Sequence, residues 1–441
     1  MREALLRVVK SDLWKEWQSL SQSCWWERAD IEALKDARLK SLVKQAYSNV
    51  PYYQDLFDSS GLKPADIQSS ADLPKIPLLT RREVRTHLSR MLARNVRSRD
   101  RKLDSTGGST GEPVRFYRDL STPATMAATY RGFEWYGYEF GSQLGYLWGA
   151  PRDLRLQNSI AGRLKSWVAN TFQMDAFNLT NETMQRYVDL LRSSPSFGIV
   201  GYASALVQIS RFMLDSGQKV IGPKFVSSQA ETLYPSYRQT IEAAFGCPVY
   251  DFYGSREIGA IAIECPEGRR RHISEENVIV EIVDEGGTPV PRGQSGRVLL
   301  TSLRNYAMPL LRYEIGDMAT NTLDEKCQCG RSLQVLEGLV GRVGSVIVAD
   351  DGRRIASEYF PHFFKEVPWV RSFQVVQRQD GFVTISVAAL DHVLERERAN
   401  LETRLRLELG PQLRLALVLC ESIDPRASGK RDFVQSALSV L

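Results

Sequence analysis

Between residues 120 and 250, short apolar runs alternate with helical ones, and this alternation limits the possible folds more than any other feature of the chain. Tyr146 to Gly149, Gly198 to Gly201 and Lys224 to Ser228 have the length and continuous apolarity of buried strands, while 182–193, 203–216 and 234–245 carry helical spacing. Such a succession is satisfied by a sheet that is at least partly parallel, with helices on its faces. A further strand, Pro248 to Tyr253, ends at Gly254. The spacing predicts amphipathic helices at 3–20 and 28–48, a short helix near Tyr53 to Phe57 and another at 80–93.

Downstream the pattern changes. In the region from 278 to about 302, VIVEIVD and GRVLLTSL read as antiparallel strands around a Glu-Gly-Gly turn. Beyond Gly341 the chain predicts a small unit: a hairpin near 345–355, strands at 372–378 and 382–390, a helix at 393–408, a strand at 413–420 and a last helix at 431–440. The domain boundary is placed at Gly341, giving units 1–341 and 342–441. A chain of 441 residues is long enough for this division.

Composition narrows the function classes. Hydrophobic residues at 43% and charged residues at 25% describe a globular protein. The net charge of +5 permits an anionic small ligand but does not suggest nucleic-acid binding. No apolar run reaches membrane-spanning length, so no membrane span is expected. Charges at helical spacing interrupt the N-terminal segment, which does not read as a signal peptide, and Glu3, Asp12 and Glu16 fit a transit segment badly. The six cysteines do not form a disulfide framework for a chain of this size, and the expected location is cytoplasmic.

The chemistry begins at Asp104 to Asp119, DSTGGSTGEPVRFYRD. Ser105, Thr106, Gly107, Gly108, Ser109, Thr110 and Gly111 alternate hydroxyls with glycines, whose backbone can approach a ligand closely. Successive N–H groups in such turns form an anion-binding concavity. The stretch suits a polyphosphate but lacks the Lys-Ser/Thr ending of a Walker loop. A flexible linker is the other reading, although linkers seldom run into an alternating segment such as Val114 to Arg118.

Four more stretches follow in order: Ser228-Gln229-Ala230-Glu231-Thr232, Tyr253-Gly254-Ser255-Arg256-Glu257, Leu311 to Asp317 (LRYEIGD), and Ser428-Gly429-Lys430. Together with the glycine stretch they resemble the adenylate-forming superfamily of acyl- and aryl-CoA ligases. More specifically, the chain resembles the phenylacetate–coenzyme A ligase family and its relatives in capsular-polysaccharide gene clusters. It extends over nearly the whole chain, including YSNVPYYQDLF and ADLPKIPLLTRREV. The fold it implies is a large N-terminal α/β domain with a β-barrel-like subdomain, followed by a small mobile α+β C-terminal domain.

The activity implied is attack of a carboxylate on the α-phosphate of ATP, release of pyrophosphate, and transfer of the acyl group to a thiol, most simply coenzyme A. By this resemblance, the hydroxyls and amides of residues 105–111 hold the β- and γ-phosphates and Glu257 coordinates Mg²⁺. Ala230, Glu231 and Tyr253, with Gly254 and Ser255 beside them, line the adenine pocket. Asp251 is a weaker candidate for the adenine amino group, and Asp317 accepts the ribose hydroxyls. Arg342 sits at the hinge, and Lys430 stabilises charge at the reacting phosphate.

The sequence departs from the family in three places. The hinge lacks an acidic residue (Gly341-Arg342-Val343-Gly344), and Arg256 replaces a Thr or Ser, either to bind phosphate or to pair with a carboxylate. Asp351 to Ile355 stands where CoA ligases have a glycine-rich segment, which keeps an amine, hydroxyl or carrier protein open as acceptor. A nucleotide-binding scaffold without catalysis is a further alternative, opposed by Glu257, Asp317 and Lys430.

Cys265, His272, Cys327 and Cys329 form a closed set suited to structural zinc, against a reading of three free cysteines and an unrelated histidine. The acid pocket is expected from 130–150 and 198–205, where Tyr130, Phe133, Trp135, Tyr136, Trp148 and Tyr202 favour an aromatic acid unless they are core. The helices bearing Trp14, Trp17, Trp25 and Trp26 are candidates for core packing or a homodimer contact.

Overall fold

The computed structural model describes residues 11–106, 114–148, 160–176, 179–193, 197–220, 222–323, 325–342, 346–350, 354–356, 360, 363–364, 367, 369–389, 393–410, 412–423 and 434–438. Helices α1 (Ser11–Ser23), α2 (Arg28–Asn49), α3 (Pro51–Ser59) and α4 (Arg81–His87) precede a hairpin of β1 (Arg101–Ser105) and β2 (Arg115–Asp119). The alternating region follows as α5 (Ala124–Trp135), β3 (Leu144–Leu147), α6 (Ile160–Ala169), β4 (Thr171–Met174), α7 (Asn181–Ser193), β5 (Gly198–Tyr202), α8 (Ala203–Asp215), β6 (Phe225–Gln229), α9 (Pro235–Phe245) and β7 (Val249–Ser255). Next come β8 (Gly259–Glu264), β9 (Arg271–Ile273), β10 (Val278–Val283), β11 (Ser295–Ser302), β12 (Tyr313–Thr320) and β13 (Val335–Arg342). The C-terminal part holds β14 (Val346–Val348), β15 (Arg354–Ala356), β16 (Val370–Gln377), β17 (Val383–Ala389), α10 (Glu395–Leu409), β18 (Leu415–Cys420) and β19 (Val434–Ser436).

One sheet of eleven strands runs β10-β11-β12-β13-β9-β8-β7-β6-β5-β3-β4. From β4 to β7 every pairing is parallel. From β7 to β10 every pairing is antiparallel. The antiparallel strands expected as a barrel-like subdomain are therefore continuous with the parallel half through β8.

Neighbouring residues of the parallel strands point to opposite faces, which explains their unbroken apolarity. Val200, Phe225 and Tyr250 pack with α1 and α5 on one face. Ile199, Val226 and Val249 pack with α7, α8 and α9 on the other. Each fully buried large side chain of this kind contributes ~1.5–3 kcal/mol. A third cluster joins α2 and α3 to β8, β10, β11 and β12.

Buried ion pairs fix the N-terminal helices to this frame. Glu275 accepts from Arg28 at 2.5 and 2.8 Å, from Lys35 at 3.2 Å and from the Gln334 N–H at 2.6 Å. Burial alone would raise its pKa, but these cations outweigh burial and hold the carboxyl below its usual range. Fully buried Arg131 donates to Glu276 at 2.7 Å.

The C-terminal sheet runs β18-β17-β16-β19 with α10 packed on it, and it has its own core. Two helical expectations fail here and upstream. Residues 434–436 of the expected last helix form β19, parallel to β16, because buried Val434 pairs beside Val375 and fills the small core. The helix expected at 80–93 stops at His87, and Ala93 instead donates its N–H to the Ala307 carbonyl. Among the described residues no helix is long and apolar enough to cross a membrane.

Candidate nucleotide site and metal knuckle

The ends of β6, β7 and β12 and the β1–β2 hairpin carry the site residues within the described part of the chain. Thr106 closes the hairpin neck: its N–H donates to the Val114 carbonyl, and its Oγ1 accepts the Val114 N–H, both at 2.9 Å. Ser105 lies opposite Arg115 in the same ladder. Gly107, Gly108, Ser109, Thr110 and Gly111 lie outside the described residues, as does Lys430.

Two tyrosine–carboxylate pairs form the centre. The Tyr253 hydroxyl donates to Asp317 Oδ2 at 2.8 Å, joining the end of β7 to β12. The Tyr313 hydroxyl donates to Glu257 Oε1 at 3.2 Å, and Glu257 is buried. Burial, with Glu257 beside it, pushes the Tyr313 phenol well above its ordinary range, so it remains a donor. Ser255 Oγ accepts the Ile258 N–H at 3.1 Å, turning the chain so that Glu257 faces inward. The register of β12 with β13 sets Arg342 opposite Asp317.

The strand ends show strain where a ligand would approach. Ala230, directly after β6, has φ 68°, a left-handed conformation that costs a non-glycine residue ~1–3 kcal/mol. Glu231 Oε2 accepts the Ser204 N–H at 2.8 Å in the first turn of α8. Arg312 is also left-handed, at φ 49°. Its buried guanidinium donates to Glu281 at 3.1 Å, the Ile76 carbonyl at 2.9 Å and the Gly287 carbonyl at 2.6 Å. Arg312 thus anchors the stretch that presents Tyr313 and Asp317.

Sequence reasoning assigned no role to Tyr313 or Arg312, although both lie inside LRYEIGD. Arg81, at the start of α4, was also missed; it donates to the Ile315 carbonyl at 2.5 Å. The Thr80–Glu83 capping box that sets α4 was the available signal for that residue.

The structure adds a partner to one candidate and changes the reading of the aromatic residues. Asp251 is buried, and its Oδ2 accepts from Arg271 Nε at 2.9 Å across the sheet. The aromatic wall is mostly core: Tyr130, Phe133 and Tyr136 pack with Trp17 and Phe225. Trp135 lies against His272. Trp148, just past β3, and Tyr202, the last residue of β5, stack at 4.4 Å and are the pair that remains at the strand ends. As for Arg256, its Nη1 lies 3.6 Å from Asp104, a carboxylate partner.

Cys265, His272, Cys327 and Cys329 come together with their ligand atoms within 4.8 Å of one another. Cys265 and Cys327 sulfurs are 3.9 Å apart, near the ~3.8 Å edge of a tetrahedron with metal–sulfur bonds of about 2.3 Å. His272 Nδ1 faces the Leu333 carbonyl at 3.2 Å, which leaves Nε2 directed at Cys329, also 3.2 Å away. Burial pushes the His272 pKa down to about 4, keeping the imidazole neutral as a ligand must be. A Cβ on Gly268 would lie 2.7 Å from Cys327 Sγ, so glycine is needed for this close approach.

Arg331 completes the knuckle. It is 4.6 Å from the Trp135 ring and 5.0 Å from that of Trp25, with Nη1 3.5 Å from Cys265 Sγ. The neighbouring basic run is engaged in ion pairs: Arg269 with Glu242 and Glu264, Arg270 with Glu325 and Glu337, Arg271 with Asp251.

Solved structures of a CoA ligase and an amide bond synthetase share this fold. A solved 2-hydroxyisobutyryl-CoA ligase in the postadenylation state, in complex with R3-HIB-AMP, has a TM-score of 0.75 at 18% identity, covering 93% of this chain and 90% of that one. The amide bond synthetase McbA from Marinactinospora thermotolerans has a TM-score of 0.53 at 18% identity, covering 75% and 66%. In sequence, the chain is similar to the phenylacetate-coenzyme A ligase of Thermus thermophilus, 27% identical over 375 residues, 80% of each chain. Residues 347–437 match the CapK C-terminal domain. The resemblance stated from the sequence, to phenylacetate–CoA ligases and their capsular relatives, holds.

Proposed function

We propose that this protein is an ATP-dependent, AMP-forming ligase that converts a carboxylic acid to its acyl-adenylate, releases pyrophosphate and passes the acyl group to a thiol, coenzyme A. The observation that carries this reading is the presence of two tyrosine-held carboxylates, Tyr253–Asp317 and Tyr313–Glu257, on and after β7 and on β12. Asp317 is assigned to accept hydrogen bonds from the ribose hydroxyls, and Tyr253 to stack on the base. Glu257, Thr106 and the hydroxyls and amides of 105–111 are assigned to the polyphosphate. Mg²⁺, when bound at Glu257, supplies positive charge to the departing pyrophosphate.

In-line attack at phosphorus depends on position and charge, so Lys430 is assigned to the α-phosphate and Arg342 to the hinge between 1–341 and 342–441. The hinge position is supported by the end of β13 at Arg342 and by the separate core that begins at Ile347. The four-ligand knuckle is assigned to structural zinc: its Cys₃His set offers no open coordination position. The likeness to an amide bond synthetase favours a second reading of the acceptor, an amine in place of the thiol.

The test is carboxylate-dependent exchange of labelled pyrophosphate into ATP over a panel of aryl and aliphatic acids. Exchange lost in Lys430→Ala is the expected result. Binding of ATP without exchange for any acid would favour a scaffold, and thiol dependence of AMP release separates the two acceptors.

A further inference from the structure

Asp104 is shared between two cations. Its Oδ2 lies 2.9 Å from Arg118 Nε, and its Oδ1 lies 3.6 Å from Arg256 Nη1 while accepting the Ser105 N–H at 2.8 Å. The Asp104 side chain is only 11% exposed, whereas those of Arg118 and Arg256 are 40% and 35% exposed. At 3.6 Å the Arg256 contact is beyond hydrogen-bond range: it is an electrostatic association that a stronger acceptor can displace. Arg256 also directly precedes the buried Glu257, and Asp104 stands two residues before Thr106 at the hairpin neck. The Arg256–Asp104 contact therefore links the hairpin neck to the stretch that carries Glu257.

We propose that Arg256 is a phosphate ligand that Asp104 holds in the absence of nucleotide, and that a di- or triphosphate takes it over from the carboxylate. This rests on the nucleotide reading above. A planar guanidinium offers phosphate two parallel charged hydrogen bonds, which a Thr or Ser at this position cannot. Asp104 then acts in opposition to the ligand: it competes for the same cation and lowers the apparent affinity for polyphosphate. Arg118, already at 2.9 Å, stays with Asp104 when Arg256 leaves.

This arrangement makes two substitutions move one quantity in opposite directions. Binding of MgATP and of inorganic pyrophosphate is measured calorimetrically on the full-length protein, with melting temperatures as a fold check. Arg256→Thr is expected to weaken both ligands by about 10- to 100-fold. Asp104→Asn, which keeps an oxygen for the Ser105 N–H, is expected to tighten both by severalfold. A purely structural ion pair would weaken binding in both variants together, with a shared drop in melting temperature, and that result overturns the proposal. So does unchanged affinity in Arg256→Thr while the wild type binds MgATP. Failure of the wild type to bind MgATP at all sinks the nucleotide reading itself, and this inference with it.

Discussion

The candidate metal knuckle, beside β8 and β9, and the candidate nucleotide site, around β7 and β12, are carried by one sheet, yet they are built in different ways. In the knuckle the four ligand atoms are already assembled, three of the four residues are buried, and Arg331 and the Leu333 carbonyl hold them from outside. In the candidate nucleotide site polar groups pair with one another: Tyr253 with Asp317 and Tyr313 with Glu257 by hydrogen bonds, and Arg256 with Asp104 by a looser ion pair at 3.6 Å. A group that must be complete before a fold is stable can be closed. One that must receive and release a substrate needs partners that can part at modest cost, such as single hydrogen bonds worth ~0.5–1.5 kcal/mol. In the proposed reading, the contrast separates a site that holds the fold from a site that turns over.

The largest expected effect tests this separation directly. Glu257→Gln should lower pyrophosphate exchange by roughly 10²–10³-fold, the usual loss when one charge-stabilising contact is removed, with little change in melting temperature. Cys327→Ser should do the reverse: bound zinc, assayed by metal analysis, is lost, and the melting temperature falls by roughly 5 °C or more, at ~2–4 °C per kcal/mol. If Cys327→Ser abolished exchange while leaving stability intact, the knuckle would belong to the chemistry and the comparison would fail.

A smaller effect sharpens the description of the knuckle. Three thiolates and a divalent cation carry one net negative charge, and Arg331 stands 3.5 Å from one of the sulfurs with its side chain 7% exposed. Arg331→Met preserves much of the bulk between Trp25 and Trp135 but removes the charge. Zinc affinity, measured by competition with a chelator, should fall about 10- to 100-fold, as is usual when an outer partner of a ligand is lost. Trp25 fluorescence provides a second readout, because the guanidinium lies against its ring. An unchanged affinity would show that the thiolates need no counter-charge here.

How much of this the sequence disclosed depended on range. The alternating strands and helices were legible because each strand buries both faces, which leaves a local apolar run. The order of glycine stretch, SQAET, YGSRE and LRYEIGD was legible as a resemblance, and the Cys/His set as a ligand chemistry. What escaped notice depends on distant contacts. Asp251 reads as a free carboxylate until β9 brings Arg271 beside it. Tyr130 and Tyr136 read as pocket walls until α1 and β6 cover them. The segment at 434–436 has helical residues around it, but the small core has room for a strand beside β16. Arg312 anchors carbonyls more than 230 positions away in the chain, and no local pattern reports that.

The finest test concerns the hydroxyl that links β7 to β12. Tyr253→Phe keeps the ring for stacking on a base and deletes the 2.8 Å hydrogen bond to Asp317. If that bond positions Asp317 for the ribose, its loss lets the carboxylate turn away, and the KM for ATP should rise by about fivefold, equivalent to ~1 kcal/mol, with kcat and the KM for the acid nearly unchanged. The bond also competes with ribose for Oδ2, and if that competition dominates, Tyr253→Phe would bind ATP more tightly. The sign of the change therefore distinguishes a positioning contact from a placeholder. A placeholder would make Tyr253–Asp317 the counterpart of Arg256–Asp104, with each pair giving up a partner as nucleotide enters.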